Sequence, residues 1–330
     1  MAASLVPFNK LQIGKETTKG TLVPATVELP GEFTLDEQQD FYRSPYPAGV
    51  RANVGGAGQI TRKGVILDAA SDLTAEDILW PLHTGVLGGV TPSGVGPYTY
   101  TFTPVLTTGV PVIDAATLEF MRADGVTNHY AGEVGYALTK SFRIEWAFNE
   151  AAKLSWQMFA RARQTTTPTA ALTPYTGREP LVTPLLSVYL DTTWAGLGGT
   201  QLTGVIRSVT FDCVTGFDAD YTADGRSDKD FTQHKVGLIT GTLQLVMEFD
   251  AVGASRFANY RANDLVYIRL INTGSSSRSV QVDGAYRFTS PPSFSADGEQ
   301  VLMTASLESV YDATGAKTLE FEVINNLTAL

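Results

Sequence analysis

The stretch SFRIEWAFN, residues 141–149, alternates apolar and polar side chains with a period of two. The apolar positions are Phe142, Ile144, Trp146 and Phe148. Because a strand points successive side chains to opposite faces, this alternation predicts a strand with one face in a core. The pattern returns in Leu154, Trp156 and Met158, after the short segment NEAAK. The two runs together predict an antiparallel hairpin.

Similar alternation occurs along the rest of the chain and predicts further strands. These runs are Thr117–Arg122, Val205–Cys213, Thr242–Phe249, Val266–Ile271 and Thr318–Val323. Thr, Tyr, Val and Phe are abundant, and these residues suit a pleated, half-buried surface. The sequence therefore predicts an all-β fold.

Helix signals are confined to two segments. Residues 71–89 predict a helix with Thr74 as a candidate N-cap. We expect Pro81 to kink this helix or end it early. Residues 252–264 predict a short amphipathic helix. Its inward side chains are expected to be Phe257, Tyr260 and Leu265. The predicted fold is all-β with one or two short helices.

The segment 164–184 is rich in Thr and Pro without periodicity, and it predicts a linker or a long crossover. It divides the chain into two β domains, 29–163 and 185–330, after an N-terminal arm, 1–28.

The two halves present similar elements in the same order. A strand, an Asp-Ala pair and a helix occur in 64–82 and again in 244–262. The next strands are 117–125 and 265–274, followed by the hairpin segments 135–162 and 284–310. An internal duplication explains this order, and so does convergent patterning of β-sheets.

Composition excludes several classes of protein. The 330 residues are 43% hydrophobic, enough for a packed core, and the net charge of −10 opposes binding to phosphate backbones. A single cysteine, Cys213, excludes an intrachain disulfide and favours a reducing compartment. Residues 1–10 lack the pattern of a signal peptide, and no run approaches ~18 apolar residues. We expect a protein that folds in the cytoplasm and has no membrane partner.

No catalytic constellation is visible, so we expect no enzyme activity and no cofactor. The three histidines, His83, His129 and His234, are far apart and match no zinc spacing. Residues 220–231 match part of an EF-hand loop, but Phe231 stands where a bidentate Glu is required. We therefore expect no metal site there and interpret the segment as a solvated acidic hairpin.

Aromatic residues offer one alternative function. Tyr98 and Tyr100 alternate with threonines, and Trp194 lies in a Gly-rich turn. Aromatic platforms of this kind stack on sugars, so a carbohydrate-binding β module is an alternative. Ordinary strand packing accounts for the same residues.

The leader LQIGKETTKGTLVPAT, residues 11–26, is polar and rich in threonine. It is interpreted either as a frayed terminus or as an arm whose partner is another copy of the chain. With Gly14, Glu16, Gly20 and Thr21 it resembles the G-x-E-x-x-x-G-T opening of tail tube proteins of long-tailed bacteriophages. Residues 301–326 are similar to the last strand pair of that family. The resemblance is sharp at both ends and loose between them.

The resemblance implies a tail-tube-type β-sandwich or barrel, duplicated here within one chain. Copies of the chain would form stacked rings, a trimer with pseudo-six-fold symmetry as first choice and a hexamer as second. The rings would form an acidic conduit through which DNA passes without specific binding, alongside other tail proteins in the virion. The residues expected to take part in assembly are Gly14, Lys15, Glu16, Gly20, Thr21 and Pro24. Residues 10–26 are expected to contact the next ring, and a capsid decoration or tail terminator protein is the alternative.

Overall fold

A computed structural model describes residues 8–42, 58–107, 109–124, 127–225, 227–275 and 277–330. The strands are β1 (Lys10–Lys15), β2 (Val27–Leu29), β3 (Glu32–Tyr42), β4 (Gln59–Asp72), β5 (Tyr98–Phe102), β6 (Ala116–Ala123), β7 (Asn128–Ala147), β8 (Lys153–Ala160), β9 (Leu186–Asp191), β10 (Ile206–Val214), β11 (Phe217–Asp220), β12 (Gln233–Val236), β13 (Thr240–Glu248), β14 (Val266–Thr273), β15 (Ser279–Phe288), β16 (Ser293–Asp297), β17 (Gln300–Ser309) and β18 (Leu319–Asn325). The α-helices are α1 (Leu79–Gly85) and α2 (Ala251–Ala262).

The chain is all-β with two short helices, as its alternation predicts. The five predicted strands correspond to β6, β10, β13, β14 and β18, and the predicted hairpin is β7–β8. Phe142, Ile144 and Trp146 are buried. The inward prediction for Phe148 was wrong, because that residue lies in the hairpin turn, beyond the paired part of the strand, and is exposed.

Eight strands form one continuous antiparallel sheet, which we call the central sheet. Its order is β3-β4-β8-β7-β10-β13-β17-β16, and every neighbouring pair is antiparallel. The pairing of β7 with β10 joins the first half of the chain to the second. Among the described residues, β3 and β16 are the two edges of this sheet.

The two halves of the central sheet have the same pairing order. The unit β3-β4-β8-β7 corresponds to the unit β10-β13-β17-β16, strand by strand along the chain. Outside the central sheet, β6 pairs with β7 and β1 pairs with β6. In the second half, β14 pairs with β15 and β9 pairs with β14. In the first half β7 is a single strand, whereas its counterpart is divided into β15 and β16.

Hydrogen bonds fix how the two units align. The Thr74 hydroxyl accepts from Asp77 N (3.1 Å), and 176 positions later the Asp250 carboxylate accepts from Gly253 N (3.0 Å). The sequence comparison instead matched Asp68-Ala69 with Asp250-Ala251, which was wrong by six positions. The equivalent residues, Thr74 and Asp250, each accept a hydrogen bond from the backbone N–H three positions later, in the segment that follows β4 or β13. The order of the elements, in contrast, agrees with the repeat seen in the sequence.

The apolar face of the central sheet packs against a second layer drawn from both halves. The Phe321 ring of β18 lies 5.7 Å from Phe142 and 5.8 Å from Phe211, between centroids. Trp146 Nε1 donates to Asn272 Oδ1 (3.3 Å). One buried apolar cluster contains residues of both halves. The boundaries at 29–163 and 185–330 therefore separate two units that share a core.

Both helices lie in the predicted segments, but Thr74 is not the N-cap of α1, because residues 75–78 form a turn and the helix is capped at Ile78. Helix α1 begins at Leu79 and continues through Pro81 to Gly85, so the expectation that Pro81 ends the helix early was wrong. A proline in the first turn is tolerated because its missing N–H has no partner within the helix. In α2, Phe257 is half-buried and packs against the core, and its ring lies 5.9 Å from that of Tyr260.

The segment 164–184 is a crossover rather than a free linker, because it packs against the first half. Thr169 N donates to Glu119 Oε2 (2.5 Å), and Gln12 Nε2 donates to Thr169 O (3.1 Å). Leu181 is fully buried. The chain thus passes over β1 and β6 before it enters the second half.

Candidate assembly surface

The N-terminal segment belongs to the fold of its own chain. Strand β1 lies between β2 and β6, and Leu11 and Ile13 are buried in the core. The described part of the predicted arm, residues 8–28, is therefore already ordered by strands of the same chain. Residues 1–7 of the predicted arm lie outside the described residues.

Glu16 organises the turn that follows β1. Its carboxylate is buried and accepts hydrogen bonds from Gly20 N (2.5 Å), Tyr136 N (2.8 Å) and the Thr117 hydroxyl (3.1 Å). Burial raises the pKa of Glu16, against the lowering effect of these hydrogen bonds. Gly20 has a φ of +79°, in the left-handed region that favours glycine. Glu16 and Gly20 thus belong to one tight turn, which the hydrogen bond from Gly20 N to the Glu16 carboxylate closes.

The other predicted assembly residues also contact their own chain. Lys15 Nζ lies 2.9 Å from Asp114 Oδ2, and Thr21 N donates to Thr18 O (2.9 Å). A Cβ atom on Gly14 would lie 2.5 Å from Pro24 O, so a side chain at position 14 would force the two segments apart. Contacts within a single chain are therefore enough to explain why these residues occur at these positions. A contact with a second copy stays a prediction.

Asp114 connects this segment to α1. Its Oδ2 atom lies 2.9 Å from each of His83 Nδ1, Gly89 N and Lys15 Nζ. Burial acts to raise the pKa of Asp114, but these partners outweigh it and hold the pKa well below its ordinary value. Burial lowers the pKa of His83, against the opposing effect of Asp114. The pair is therefore most favourable with neutral histidine and ionised aspartate.

The contribution of His83 to the stability of the chain is expected to fall as the pH is lowered from 7.5 to 5. The unfolded His83 takes up a proton near its ordinary pKa of about 6.5, whereas the folded residue resists protonation, so acid favours unfolding. Urea unfolding midpoints measured across this range test the expectation. His83→Gln is expected to show a smaller loss than the unchanged protein, and equal losses in the two proteins would contradict it.

The two edges of the central sheet carry backbone groups without a strand partner in the described part of the chain. Strand β3 pairs with β4 alone, and β16 pairs with β17 alone. Every residue of β16 is exposed. The sequence patterns did not predict β3, whereas β16 lies in the predicted hairpin segment 284–310. The signal that identifies β3 is its likeness to β10, since FTLD at 33–36 matches VTFD at 209–212.

The solvent face of the central sheet is predominantly acidic. Directly paired residues share a face, so the pairing register assigns each side chain to it. Its ten carboxylates are Glu32, Asp36, Asp40, Asp68, Asp72, Glu145, Asp212, Glu248, Asp297 and Glu308. The basic residues at paired positions of the eight strands are Arg62, Arg143 and Lys153. Two more basic residues reach this face: Arg207, at the bulge of β10, contacts Glu248, and Arg287 of β15 pairs with Glu308. The face therefore carries a net negative charge.

The aromatic residues considered for sugar binding do not form a platform. Tyr100 is fully buried, and its hydroxyl donates to Leu327 O (2.9 Å). Trp194 is half-buried in a short 3₁₀ turn, with Lys317 Nζ 5.6 Å from its ring centroid. Tyr100 is not available to stack on a sugar, because its side chain faces the core side of β5.

The histidines do not converge on one site. His83 contacts Asp114, His129 contacts Asp124 (3.1 Å), and the His234 ring contacts the Tyr136 hydroxyl (3.2 Å). Within the described ranges, no group of three His, Cys, Asp or Glu side chains is placed to hold a metal ion. In the segment 220–231, Phe231 is fully buried and Arg226 lies outside the described residues.

No protein-family model and no curated protein matches this chain. Neither helix in the described part of the chain has the length and apolar character needed to cross a membrane.

Proposed function

We propose that the chain is a structural subunit of a bacteriophage virion, which assembles into stacked rings that form a tail tube. The observation that carries the proposal is the central sheet, in which two equivalent four-stranded units stand side by side and neither outer edge is paired with another described strand. A sheet of this kind reaches full pairing when copies join edge to edge and the ring closes.

Two units in each chain favour a ring with an even number of units. Three copies give six units and pseudo-six-fold symmetry, which is the first choice, and a hexamer of chains is the second. The likeness of the N-terminal and C-terminal motifs to tail tube proteins supports the same assignment. In this proposal the turn around Glu16 and Gly20 contacts the next ring or another tail protein.

The acidic face gives the proposed tube its role. If this face lines the lumen, ten carboxylates per chain meet the DNA as it passes during ejection, and like charge keeps the duplex from adhering. The mechanism is mechanical and requires no cofactor. The subunit would fold in the bacterial cytoplasm before it enters the tail.

Electron microscopy of the purified, concentrated chain tests this function. Rings or tubes with a central channel are the expected result, with three-fold symmetry in class averages for the trimer. A chain that stays monomeric at all concentrations contradicts the proposal. A capsid decoration or tail terminator protein is the alternative, and it would not polymerise into tubes.

A further inference from the structure

We propose that strand β3 of one copy pairs with strand β16 of the next, in the register that joins β10 to β7 inside each chain. The pairing is antiparallel and involves Glu32–Asp36 of one copy and Ser293–Asp297 of the other. This inference rests on the proposed ring assembly, and it specifies the surface that forms the ring.

The junction between β10 and β7 is the template. It pairs Ser208 with Ala147, Thr210 with Glu145, and continues to Val214 with Ser141. This junction joins the end of the first four-stranded unit to the start of the second. In a ring of equivalent units, the same junction must recur between the second unit of one chain and the first unit of the next.

Strand β3 is the equivalent of β10. The offset of 176 positions fixed by Thr74 and Asp250 places Thr34 on Thr210 and Asp36 on Asp212, so identical residues coincide. The same offset places Phe33 and Leu35 on the buried residues Val209 and Phe211. Each of these strands is the first strand of its four-stranded unit. Strand β10 is paired on both sides, with β7 and β13, whereas β3 is paired on one side only, with β4, among the described residues.

Strand β16 is the equivalent of the last part of β7. Leu73 N donates to Ala152 O (2.7 Å), and its counterpart Phe249 N donates to Val301 O (2.8 Å), so β8 and β17 are offset by 149 positions. Ile144 pairs with Leu154 in the first unit, and Phe294 pairs with Met303 in the second. Phe294 is therefore the counterpart of Ile144.

These two equivalences fix the register between copies. The resulting pairs are Glu32 with Asp297, Phe33 with Ala296, Thr34 with Ser295, Leu35 with Phe294, and Asp36 with Ser293. Leu35 and Phe294 meet on the core side, where Phe294 is 49% exposed in a single chain and its ring lies 4.9 Å from Phe249. The second copy thus extends an aromatic cluster that the chain leaves open.

The ends of the paired segment are also defined. Pro291 and Pro292 precede β16 and have no backbone N–H, so the pairing cannot extend past Ser293. At the other end, Glu32 and Asp297 place two carboxylates opposite each other, which weakens the pair. Asp297→Lys converts this pair to opposite charges and is expected to strengthen assembly.

The template also shows which positions lie closest across the junction. Thr215 N donates to Lys140 O (3.0 Å), which makes the odd-numbered residues of β10 the hydrogen-bonded partners of β7. Thr210 and Glu145 therefore form a non-hydrogen-bonded pair, with Cα atoms about 4.5 Å apart. Thr34 and Ser295 are their counterparts, at a separation that suits a disulfide.

A pair of introduced cysteines tests the register. Thr34→Cys with Ser295→Cys, mildly oxidised during assembly, is expected to give covalent dimers and closed trimers on a non-reducing gel. Both edges lie at opposite ends of an eight-stranded sheet, about 34 Å apart at ~4.8 Å per strand, so the disulfide must join two chains. The native Cys213 is buried and does not compete.

Thr34→Cys with Ala296→Cys is the matched control, because these side chains point to opposite faces and are expected not to react. Rings seen by microscopy without disulfides in the Thr34/Ser295 variant would overturn the register and leave the proposed function standing. Equal cross-linking in both variants would also overturn it. Loss of rings in every protein, unchanged chain included, would overturn the proposed function itself. Asp297→Lys tests the register independently, because it is expected to lower the protein concentration at which rings form. A concentration that is unchanged or higher would contradict the register.

Discussion

Replacing Ala296 with proline is expected to abolish assembly at concentrations where the unchanged chain forms rings, while the single chain stays folded. Asp297 and Gln300 flank a two-residue turn and so form a hydrogen-bonded pair, which directs the N–H of Ala296 away from β17. Proline at this edge removes an outward donor and leaves the β16–β17 bonds intact. We expect the assembly concentration to rise by at least about tenfold, since each lost hydrogen bond contributes roughly 1 kcal/mol and the ring repeats the loss.

Sedimentation velocity over a concentration series measures this effect, and urea unfolding of the dilute monomer measures the fold. Ala296→Val is the matched control, because it changes the side chain but keeps the N–H, and it is expected to assemble. Normal rings from the proline variant would show that the free edge of β16 is not used. A large drop in monomer stability would instead show that the Ala296 N–H has a partner in the chain.

Replacing Arg278 with methionine is expected to lower the free energy of unfolding by about 3–5 kcal/mol. Arg278 Nε donates to Glu76 Oε1 (2.6 Å), and both side chains are almost fully buried. The pair connects the β14–β15 loop of the second half to the entry of α1 in the first half. Without the guanidinium, Glu76 keeps a buried charge that no other described side chain neutralises directly, which is the costly outcome for an ion pair.

The pH dependence of Arg278→Met identifies the cause. Burial raises the pKa of Glu76, and loss of the Arg278 hydrogen bond raises it further. A carboxyl whose folded pKa is raised binds its proton more tightly in the folded state, so the deficit is full at neutral pH and shrinks as the pH falls toward the ordinary value of 4.5.

Two comparisons complete this test. The double variant Glu76→Gln with Arg278→Met removes both charges and is expected to recover part of the loss. Lys140→Met breaks an exposed ion pair with Asp218 and is expected to change stability by less than about 1 kcal/mol. A deficit in Arg278→Met that is the same at pH 5 and pH 8 would contradict the buried-charge explanation.

The strands of the core were predictable because their signal is local. Period-two alternation identifies the hairpin around Phe142 and Trp156 without knowledge of its partners. The rule fails where a strand stops, as at Phe148. It also fails for β16, because all five of its residues are exposed and the strand has no buried face to contrast with an exposed one.

The burial of individual polar and aromatic residues and the register between distant strands depend on long-range partners, which cannot be read from the local sequence pattern. The leader has a polar composition, yet Glu16 is buried because Thr117 and Tyr136, more than 100 positions away, donate to it. Tyr100 could face water or the core by composition alone, and the packing of the second layer places it inside. The junction of β10 with β7 depends on register between distant segments, so the candidate assembly surface emerged from the structure alone.

In the proposed assembly, the polypeptide link between the two four-stranded units affects how quickly a ring can form. A six-unit ring made of separate units needs five bimolecular joins before the sixth contact closes it, and each bimolecular join is opposed by an estimated 4–15 kcal/mol of lost translational and rotational freedom. In this chain every second join is intramolecular, at the high effective concentration that a tether provides. Two encounters and one closing step complete the same ring from three chains. Fewer kinds of incomplete arc can form, and the subunit concentration needed for nucleation falls.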